Sequence, residues 1–164
     1  MAEHHTIRSI GVIGTPGCGK TTLCESLGLP VINLHDYAKS HGCLGEIDSD
    51  GSAPLDVDRL AELWQQPTTL TLVDSHLAHY LPVDALIVLR CHPDELRKRL
   101  ESRNYTSKKV RENVEVEMLG GPWNDLLDDK RPIFEGSQGV IDWIKAGCPQ
   151  NTTPDTAADW LAQP

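Results

Sequence analysis

A glycine-rich segment near the amino terminus constrains the fold more than any other feature of this chain. Residues 14–21 read GTPGCGKT and fit the spacing G-x-x-x-x-G-K-[ST]. An apolar run rich in β-branched residues, 7–13, precedes them, and a helical pattern, 21–27, follows. A strand that leads through such glycines into a helix forms a loop whose successive backbone N–H groups point at phosphate oxygens. The segment therefore predicts a phosphate-binding loop on an α/β fold.

Two side chains at the end of this loop suit nucleotide chemistry. Lys20 is a flexible point charge that can reach the β- and γ-phosphates, and the Thr21 hydroxyl can bind Mg²⁺. The helix that follows adds the positive end of its dipole. Kinases, ATPases and GTPases share this loop, so it does not name the reaction. The chain has no N-K-x-D segment, which argues against a small GTPase.

Strand and helix patterns alternate along the 164 residues, without an internal repeat or a low-complexity linker. This alternation favours a single domain over residues 1–164, with a parallel sheet between layers of helices. We expect a P-loop NTPase three-layer fold with a five-stranded parallel sheet, in which Trp143 and Trp160 cover the core. The predicted strands are 7–13, 31–34, 69–73, 85–89 and a fifth within 131–136, and the predicted helices are 21–27, 58–65, 93–103, 107–119, 137–146 and 153–161.

The segment 36–56 differs from the rest of the chain. It is polar, acidic and contains three glycines, and it reads DYAKSHGCLGEIDSDGSAPLD. Such a composition predicts an excursion from the sheet rather than a core element. Two interpretations stay open at this point: a disordered loop, or a flap that closes over a substrate.

An acidic residue is expected beside the phosphate-binding loop, at the end of a neighbouring strand. Asp74 follows the apolar run TLTLV and is the best candidate, with a carboxylate that can hold Mg²⁺ directly or through water. His76 comes two residues later. A histidine can orient or deprotonate a water at neutral pH, or it can be a hydrogen-bonded structural residue, and the residue types alone do not separate these roles.

Phosphoryl transfer also needs fixed positive charge around the moving phosphate. A basic stretch after the fourth predicted strand, residues 90–111, supplies it in excess. Arg97 and Lys98 are expected to be solvated on an exposed helix face. Arg103 and Arg111 flank the predicted turn NYTSKK between two helices, so this pair could close over a nucleotide as a short lid.

Charge and cysteine usage limit the remaining possibilities. The formal net charge of −9 argues against non-specific binding to nucleic acid, which requires a basic surface. The five cysteines show no CxxC spacing and are expected to be reduced thiols. No apolar run approaches the ~20 residues of a membrane span. We therefore expect a cytoplasmic protein without direct nucleic-acid or membrane contacts.

At this point the motifs resemble a known family. The segments GTPGCGKTTL, LVDSH and RLESRNYTSKKVRENVEVEMLG are similar to those of the small archaeal and nuclear adenylate kinases related to adenylate kinase isoenzyme six. In animals this family is also described as a coilin-interacting nuclear ATPase. The resemblance covers roughly residues 7–120, and the pair of motifs D-x-H and R-x-Y…K-V-R-E-N-V is more specific than the glycine loop.

The resemblance implies a reaction and its participants. The reaction is ATP plus AMP giving two ADP, with Mg²⁺ as cofactor. The family is also credited with ATP hydrolysis and with late maturation of the small ribosomal subunit, where it engages a small-subunit ribosomal protein of the S11 type. The acidic charge of this chain is compatible with such a basic partner but does not identify it.

The resemblance also assigns roles by position. Asp74 matches the Mg-linked acid, His76 a histidine implicated in catalysis, and Arg103 the lid arginine that contacts ATP. Residues 33–56 match the AMP-binding flap and 102–112 the short lid. The expected contacts with the ATP phosphates are Gly17, Cys18, Gly19, Lys20, Thr21 and Thr22.

The flap departs from the family pattern. Asp36 and Lys39 are the candidates for AMP binding, and Lys39 stands where an arginine is expected. A lysine pairs with a phosphate through one point charge instead of a two-pronged fork, which would weaken AMP binding and favour ATP hydrolysis. For the loop that contacts adenine, 136–138 is the first choice and 150–153 the second. Three functions stay open: an adenylate kinase, an ATP-driven assembly factor, and a kinase for another small acceptor.

Overall fold

A five-stranded parallel sheet organises the chain. The structure is a computed structural model that describes residues 6–47 and 53–162. The strand order is β2-β3-β1-β4-β5, and every pair is parallel, which confirms the predicted α/β P-loop architecture. The strands are β1 (Ser9–Gly14), β2 (Val31–Asn33), β3 (Thr71–Asp74), β4 (Ala85–Leu89) and β5 (Ile133–Glu135).

The described part of the chain contains six α-helices and two short 3₁₀ helices; all but the last α-helix lie between strands. The α-helices are α1 (Lys20–Leu27), α2 (Leu34–Ser40), α3 (Val57–Leu63), α4 (Pro93–Ser102), α5 (Ser107–Met118) and α6 (Val140–Lys145). The 3₁₀ helices are Ala78–Tyr80 and Gly121–Asp125. None of the helices in the described ranges has the length and apolar character needed to cross a membrane.

The core lies on both faces of the sheet, because the parallel strands are buried on both sides. Helices α1, α4, α5 and α6 pack on one face, where Leu23, Leu96 and Trp143 are buried. Helices α2 and α3 and both 3₁₀ helices pack on the other, where Leu34 and Trp123 are buried. This arrangement gives the three layers that the alternating pattern predicts.

The central position of β1 fixes the site. In the register with its neighbours, Val12 lies opposite Asp74 of β3, and Gly14 lies opposite Leu89 of β4. The carboxyl ends of these strands therefore meet at one edge of the sheet, and ligands of open α/β sheets bind at that edge. The loop after β1 and the acid at the end of β3 become neighbours in this way.

Two sequence-based expectations need correction. The polar segment 36–56 contains most of α2, which begins where the Asn33 side chain accepts a hydrogen bond from the Asp36 N–H. Leu34 and Ala38 of this helix are buried, and a bridge between Leu44 and Leu55 closes the segment at its base. The remainder of the predicted flap, 48–52, falls outside the described residues.

The predicted final helix, 153–161, is wrong: this segment is a series of turns. Its backbone donors are taken by side-chain oxygens. Asp159 accepts from the N–H groups of Leu161 and Ala162, and Glu135 accepts from the N–H of Ala158. Such side-chain bonds compete directly with the helical pattern.

Candidate functional site

The glycine loop has the backbone that its sequence requires. Gly17 and Gly19 both have φ of +95°, in the left-handed region that favours glycine. A Cβ atom on Gly17 would lie 2.9 Å from Leu96 Cδ1 and 3.0 Å from Leu100 Cδ2. The structure therefore has no room for a side chain at this position. The loop therefore rests directly on α4 and leads into α1 at Lys20.

Lys20 is held inside this loop. Its Nζ donates a hydrogen bond to the carbonyl oxygen of Gly14 at 3.1 Å. Burial lowers the pKa of Lys20 and Arg103 lowers it further, whereas Cys18 and Asp74 act in the opposite direction. An ammonium with few water contacts can exchange a carbonyl partner for a phosphate oxygen at little desolvation cost.

Thr21 and Asp74 form the second feature of the site. The Thr21 hydroxyl donates to Asp74 Oδ2 at 2.9 Å. Among the described residues, no group of three or more His, Cys, Asp or Glu side chains could hold a metal. Mg²⁺ usually takes one or two protein oxygens and completes its shell with phosphate oxygens and water, so this hydroxyl–carboxylate pair fits the expected ion.

A cavity of about 720 Å³ opens beside the loop. It is lined by Gly17, Cys18, Gly19 and Thr22 of the loop and α1, by residues 89–92 at and after the end of β4, by Arg99 of α4 and by Arg103, which directly follows α4. Gly136 and Ser137, from the first-choice adenine segment, lie on its wall. None of residues 150–153, which the structure describes in full, lies on it.

The arginines of the basic stretch separate into two groups. Arg99 donates from Nη1 to the Gly17 carbonyl at 3.2 Å, and both Arg99 and Arg103 line the cavity. Arg111 is exposed on α5 and is not part of the cavity wall. Arg99 is one of the cations that the sequence analysis found in the basic stretch, but the sequence did not single it out as it did Arg103. Its spacing of four residues from Arg103 was the available signal, because residues four apart share a helix face.

A second cavity, of about 430 Å³, lies on the other side of Lys20. Its wall includes Lys20, Asn33, His35, residues 53–55 and residues 74–77. Asp36 and Lys39 are exposed on α2 and do not line it. Asn33 and His35 lie within the expected flap 33–56 but were not named as candidate site residues. Their place at the carboxyl end of β2, on the ligand-binding edge of a parallel sheet, could have indicated them.

Comparison with known proteins supplies the family. Residues 10–120 match the family model described as AAA domain. A protein of Pyrococcus abyssi named "putative adenylate kinase" is 37% identical over 132 residues, which are 77% of this chain and 72% of that protein. The chain belongs to this adenylate-kinase-like family.

A second member of the family and a solved structure extend the comparison. A "putative adenylate kinase" of Methanosarcina mazei is 32% identical over 176 residues, covering 93% of this chain and 82% of that protein. The crystal structure of a "putative kinase" from Chloroflexus aurantiacus superposes with a TM-score of 0.52 at 18% identity, covering 88% of this chain and 100% of that one. At that identity the superposition supports the fold alone.

His76 stands between two cavities of this adenylate-kinase-like site. It lines the Lys20 cavity and also a cavity of about 280 Å³ behind the loop. The residue is exposed, yet desolvation by the surrounding protein lowers the pKa of His76, and the charges of Lys20 and His79 lower it further. The imidazole is therefore neutral at pH 7 and can accept a proton.

Cys18 is the unusual residue of the loop. Its side chain is buried, and burial raises the pKa of the Cys18 thiol to about 12, with Glu117 acting in the same direction. The thiol is consequently protonated at neutral pH. Cys18 therefore contributes its shape and its backbone to the loop, and no charge. All five cysteines are free and buried.

Proposed function

We propose that the protein is an adenylate kinase that transfers the γ-phosphoryl group of ATP to AMP and releases two ADP. One observation carries this proposal: two separate cavities flank the phosphate-binding loop, with Gly19 on the wall of one and Lys20 on the wall of the other. A kinase must hold a donor and an acceptor at once. The names of the family members quoted above support the same reaction.

The larger cavity is the proposed donor site. Backbone N–H groups of the loop would hold the ATP phosphates, and Arg99 and Arg103 would neutralise the charge that develops during transfer. Gly136 and Ser137 are placed for the base. The turn between α4 and α5, within the proposed lid 102–112, would close over the nucleotide.

Thr21 and Asp74 would hold Mg²⁺ together with phosphate oxygens and water. A bound Mg²⁺ neutralises phosphate charge and helps to align the reacting groups. Lys20 lies next to this pair and supplies the adjoining fixed positive charge.

The smaller cavity is the proposed acceptor site, and the proposed flap 33–56 supplies Asn33, His35 and residues 53–55 of its wall. An oxygen of the AMP phosphate forms a bond to the γ-phosphorus, while the bond from that phosphorus to the bridging oxygen breaks and ADP leaves. A phosphate monoester loses its second proton at about pH 6, so the attacking oxygen needs no base at neutral pH. Positioning and charge are sufficient for this transfer.

The decisive experiment follows ADP and free phosphate separately in a mixture of protein, ATP and Mg²⁺, with and without AMP. We expect two ADP for each AMP consumed and little free phosphate. Replacing AMP by CMP, UMP, shikimate or gluconate tests another acceptor. Phosphorylation of one of these in preference to AMP, or no transfer to AMP at all, would contradict the proposal.

ATP hydrolysis is the second candidate, and His76 is the observation that favours it. Water, unlike AMP, must lose a proton during attack, and a neutral imidazole beside Lys20 can take it. The exposed positions of Asp36 and Lys39, away from the acceptor cavity, also favour weak AMP binding. Free phosphate released at the same rate with and without AMP would establish hydrolysis as the main activity.

We extend this second candidate to a role in small ribosomal subunit maturation, with a ribosomal protein of the S11 type as partner. The net charge of −9 supports a basic partner. We expect the S11-type protein to change the hydrolysis rate at physiological salt, and an unrelated protein of equal positive charge to leave it unchanged. Equal effects of the two proteins would reduce the interaction to non-specific charge attraction.

A further inference from the structure

A fully buried carboxylate lies beneath the phosphate-binding loop. Glu117, on α5, has no exposed surface. Its Oε1 accepts a hydrogen bond from the Thr15 hydroxyl at 2.9 Å. Its Oε2 accepts from Arg90 Nε at 3.0 Å, from the Cys91 N–H at 2.9 Å and from Trp160 Nε1 at 3.0 Å. One side chain thus joins the loop, the end of β4 and the carboxyl-terminal part of the chain.

The carboxyl-terminal segment, defined as residues 152–162, depends on this network. Arg90 Nη1 donates to the Ala158 carbonyl at 2.8 Å, and the Ala158 N–H donates to Glu135 Oε1 at 2.9 Å. The Arg90 guanidinium lies over the Trp160 ring at 5.6 Å, and the His92 ring contacts the edge of that ring at 5.4 Å between centroids. The segment is therefore held in place mainly by contacts with residues that are distant in sequence.

The same residues form part of the proposed donor cavity. Arg90, Cys91 and His92 line it, and Thr15 belongs to the loop itself. Trp160 lies outside the cavity but contacts Arg90 and His92. It also donates to Glu117, the carboxylate that accepts hydrogen bonds from Thr15 and Cys91. A displacement of Trp160 is therefore expected to shift the cavity wall and the loop through its hydrogen bond to Glu117.

The network has little freedom to adapt. The side chains of Arg90 and Glu117 are only 4% and 0% exposed, and removal of one partner from a buried ion pair leaves an uncompensated charge. The space around the carboxylate is also filled: a Cβ atom on Gly121, which has a φ of +56°, would lie 2.7 Å from Glu117 Oε1. The carboxylate cannot move without disturbing its other partners.

We propose that Glu117 and Trp160 are positioning residues that couple docking of the carboxyl-terminal segment to ATP binding in the loop. The coupling rests on the proposed ATP site. With the Trp160 donor in place, Glu117 holds Thr15 and the β4 end in the geometry that binds phosphate. Because coupling between two binding events is reciprocal, bound ATP also strengthens docking of the segment.

The first test compares Trp160→Phe with wild type. This change keeps an aromatic ring beside Arg90 and removes the N–H that reaches Glu117. We expect the dissociation constant for ATP to rise about five-fold, at the low end of measured coupling effects. We expect kcat to stay within about two-fold, because no group in contact with substrate is lost. An unchanged dissociation constant would overturn the coupling.

Trp143→Phe is the matched control. Trp143 lies on α6, and its Nε1 donates to the Pro149 carbonyl at 2.7 Å. The control loses the same kind of hydrogen bond and lowers the melting temperature, but it should bind ATP as wild type does. If both variants weakened ATP binding equally, general destabilisation would explain the result and the proposal would fall.

A double-mutant cycle tests the route through Glu117. Thr15→Val removes the hydroxyl that donates to Oε1, and Trp160→Phe removes the donor to Oε2. We expect their effects on ATP affinity to be non-additive, because the two residues share one carboxylate. Strict additivity would exclude Glu117 as the connection. Glu117→Gln is less suitable, since its amide would face several donors and the variant is expected to fold poorly.

Fluorescence supplies a readout that separates this proposal from the proposed function. Subtracting the Trp160→Phe spectrum from that of wild type isolates Trp160, and we expect ATP to change this difference spectrum. A wild type that binds ATP but does not phosphorylate AMP would overturn the kinase function and leave the coupling measurable. Intact AMP phosphorylation with no ATP effect on Trp160 would overturn the coupling alone.

Discussion

The two cavities proposed to hold the donor and the acceptor are built in different ways. On the donor side, the loop rests on Leu96 and Leu100 of the core, and Arg99 ties the Gly17 carbonyl to α4. On the acceptor side, Lys20 and residues 74–77 form the part of the wall next to the centre of the sheet, and the rest comes from Asn33 and His35 at the edge strand β2 and from residues 53–55. The loop on the donor side therefore rests on the core, whereas the acceptor cavity lies between the centre of the sheet and its outer strand.

This difference bears on how the two proposed sites respond to substitution. A change beneath the loop is expected to alter both folding and phosphate binding, because the loop rests on core side chains. Helix α2 also contributes Leu34 and Ala38 to the core, but its Asp36 and Lys39 are exposed. Substitutions at these exposed positions are therefore expected to leave the fold and the loop intact.

Removing Lys20 should have the largest effect and tests whether the donor side is the reaction centre. We expect Lys20→Ala to reduce ATP turnover at least about 10³-fold in both kinase and hydrolysis assays, since it removes a preorganised charge at the transferred phosphate. Lys39→Ala, an exposed lysine on α2, is the matched control for charge. ATP turnover by Lys20→Ala at the wild-type rate would show that the site lies elsewhere.

Substitutions of Arg103 and Arg111 test which of the two arginines acts in the proposed donor site. Arg103 lines the cavity, whereas Arg111 points to solvent from α5. We expect Arg103→Ala to lower kcat/KM for ATP about 10²-fold. Arg111→Ala should change it less than three-fold. Equal losses would mean that lid closure brings Arg111 to the phosphates, and the two arginines would then act as a pair.

The His76→Ala variant and the pH dependence of hydrolysis test whether His76 acts on water alone. We expect His76→Ala to lower ATP hydrolysis about ten-fold and to change AMP phosphorylation little, because only water must lose a proton. Burial lowers the pKa of His76 below its ordinary 6.5. Since the neutral ring is the base, hydrolysis by wild type should fall to half of its plateau rate only below pH 6.5. A half-maximal rate that is reached above pH 6.5, or equal losses in both reactions, would contradict this role.

The smallest expected effect lies on the acceptor side. We expect His35→Ala to raise KM for AMP about three-fold, as the loss of one partly solvated contact, and Lys39→Ala to leave it unchanged. Neither variant should alter KM for ATP. An increase for Lys39→Ala that exceeds the one for His35→Ala would show that the flap moves Lys39 to the AMP phosphate on closure.

The parts of the site that could be predicted are those that a short stretch of sequence determines. The loop has a fixed spacing of glycines, and Asp74 ends an apolar run beside it, so strand order alone brings them together. Arg103 was predicted from its place at a turn. Each of these signals is local, and the sheet topology converts them into one site.

The parts that could not be predicted depend on residues far apart in the chain. The carboxyl-terminal segment has helical spacing of Ala157 and Trp160, but Glu135 takes a backbone donor of Ala158 across 23 positions. Glu117 reads as one of several charges on an amphipathic helix, and only the fold reveals its four donors. A single sequence carries no record of such pairings.

Burial of the loop cysteine has a consequence for the chemical resilience of the site. With a pKa of about 12, the Cys18 side chain is almost entirely in the thiol form at pH 7, and the thiolate is the form that oxidants and alkylating reagents attack. A sulfur atom in the wall of the proposed ATP cavity would be a target for such reagents if it ionised. Burial and the nearby Glu117 carboxylate keep it in the thiol form, so the phosphate-binding loop is expected to resist modification at this position.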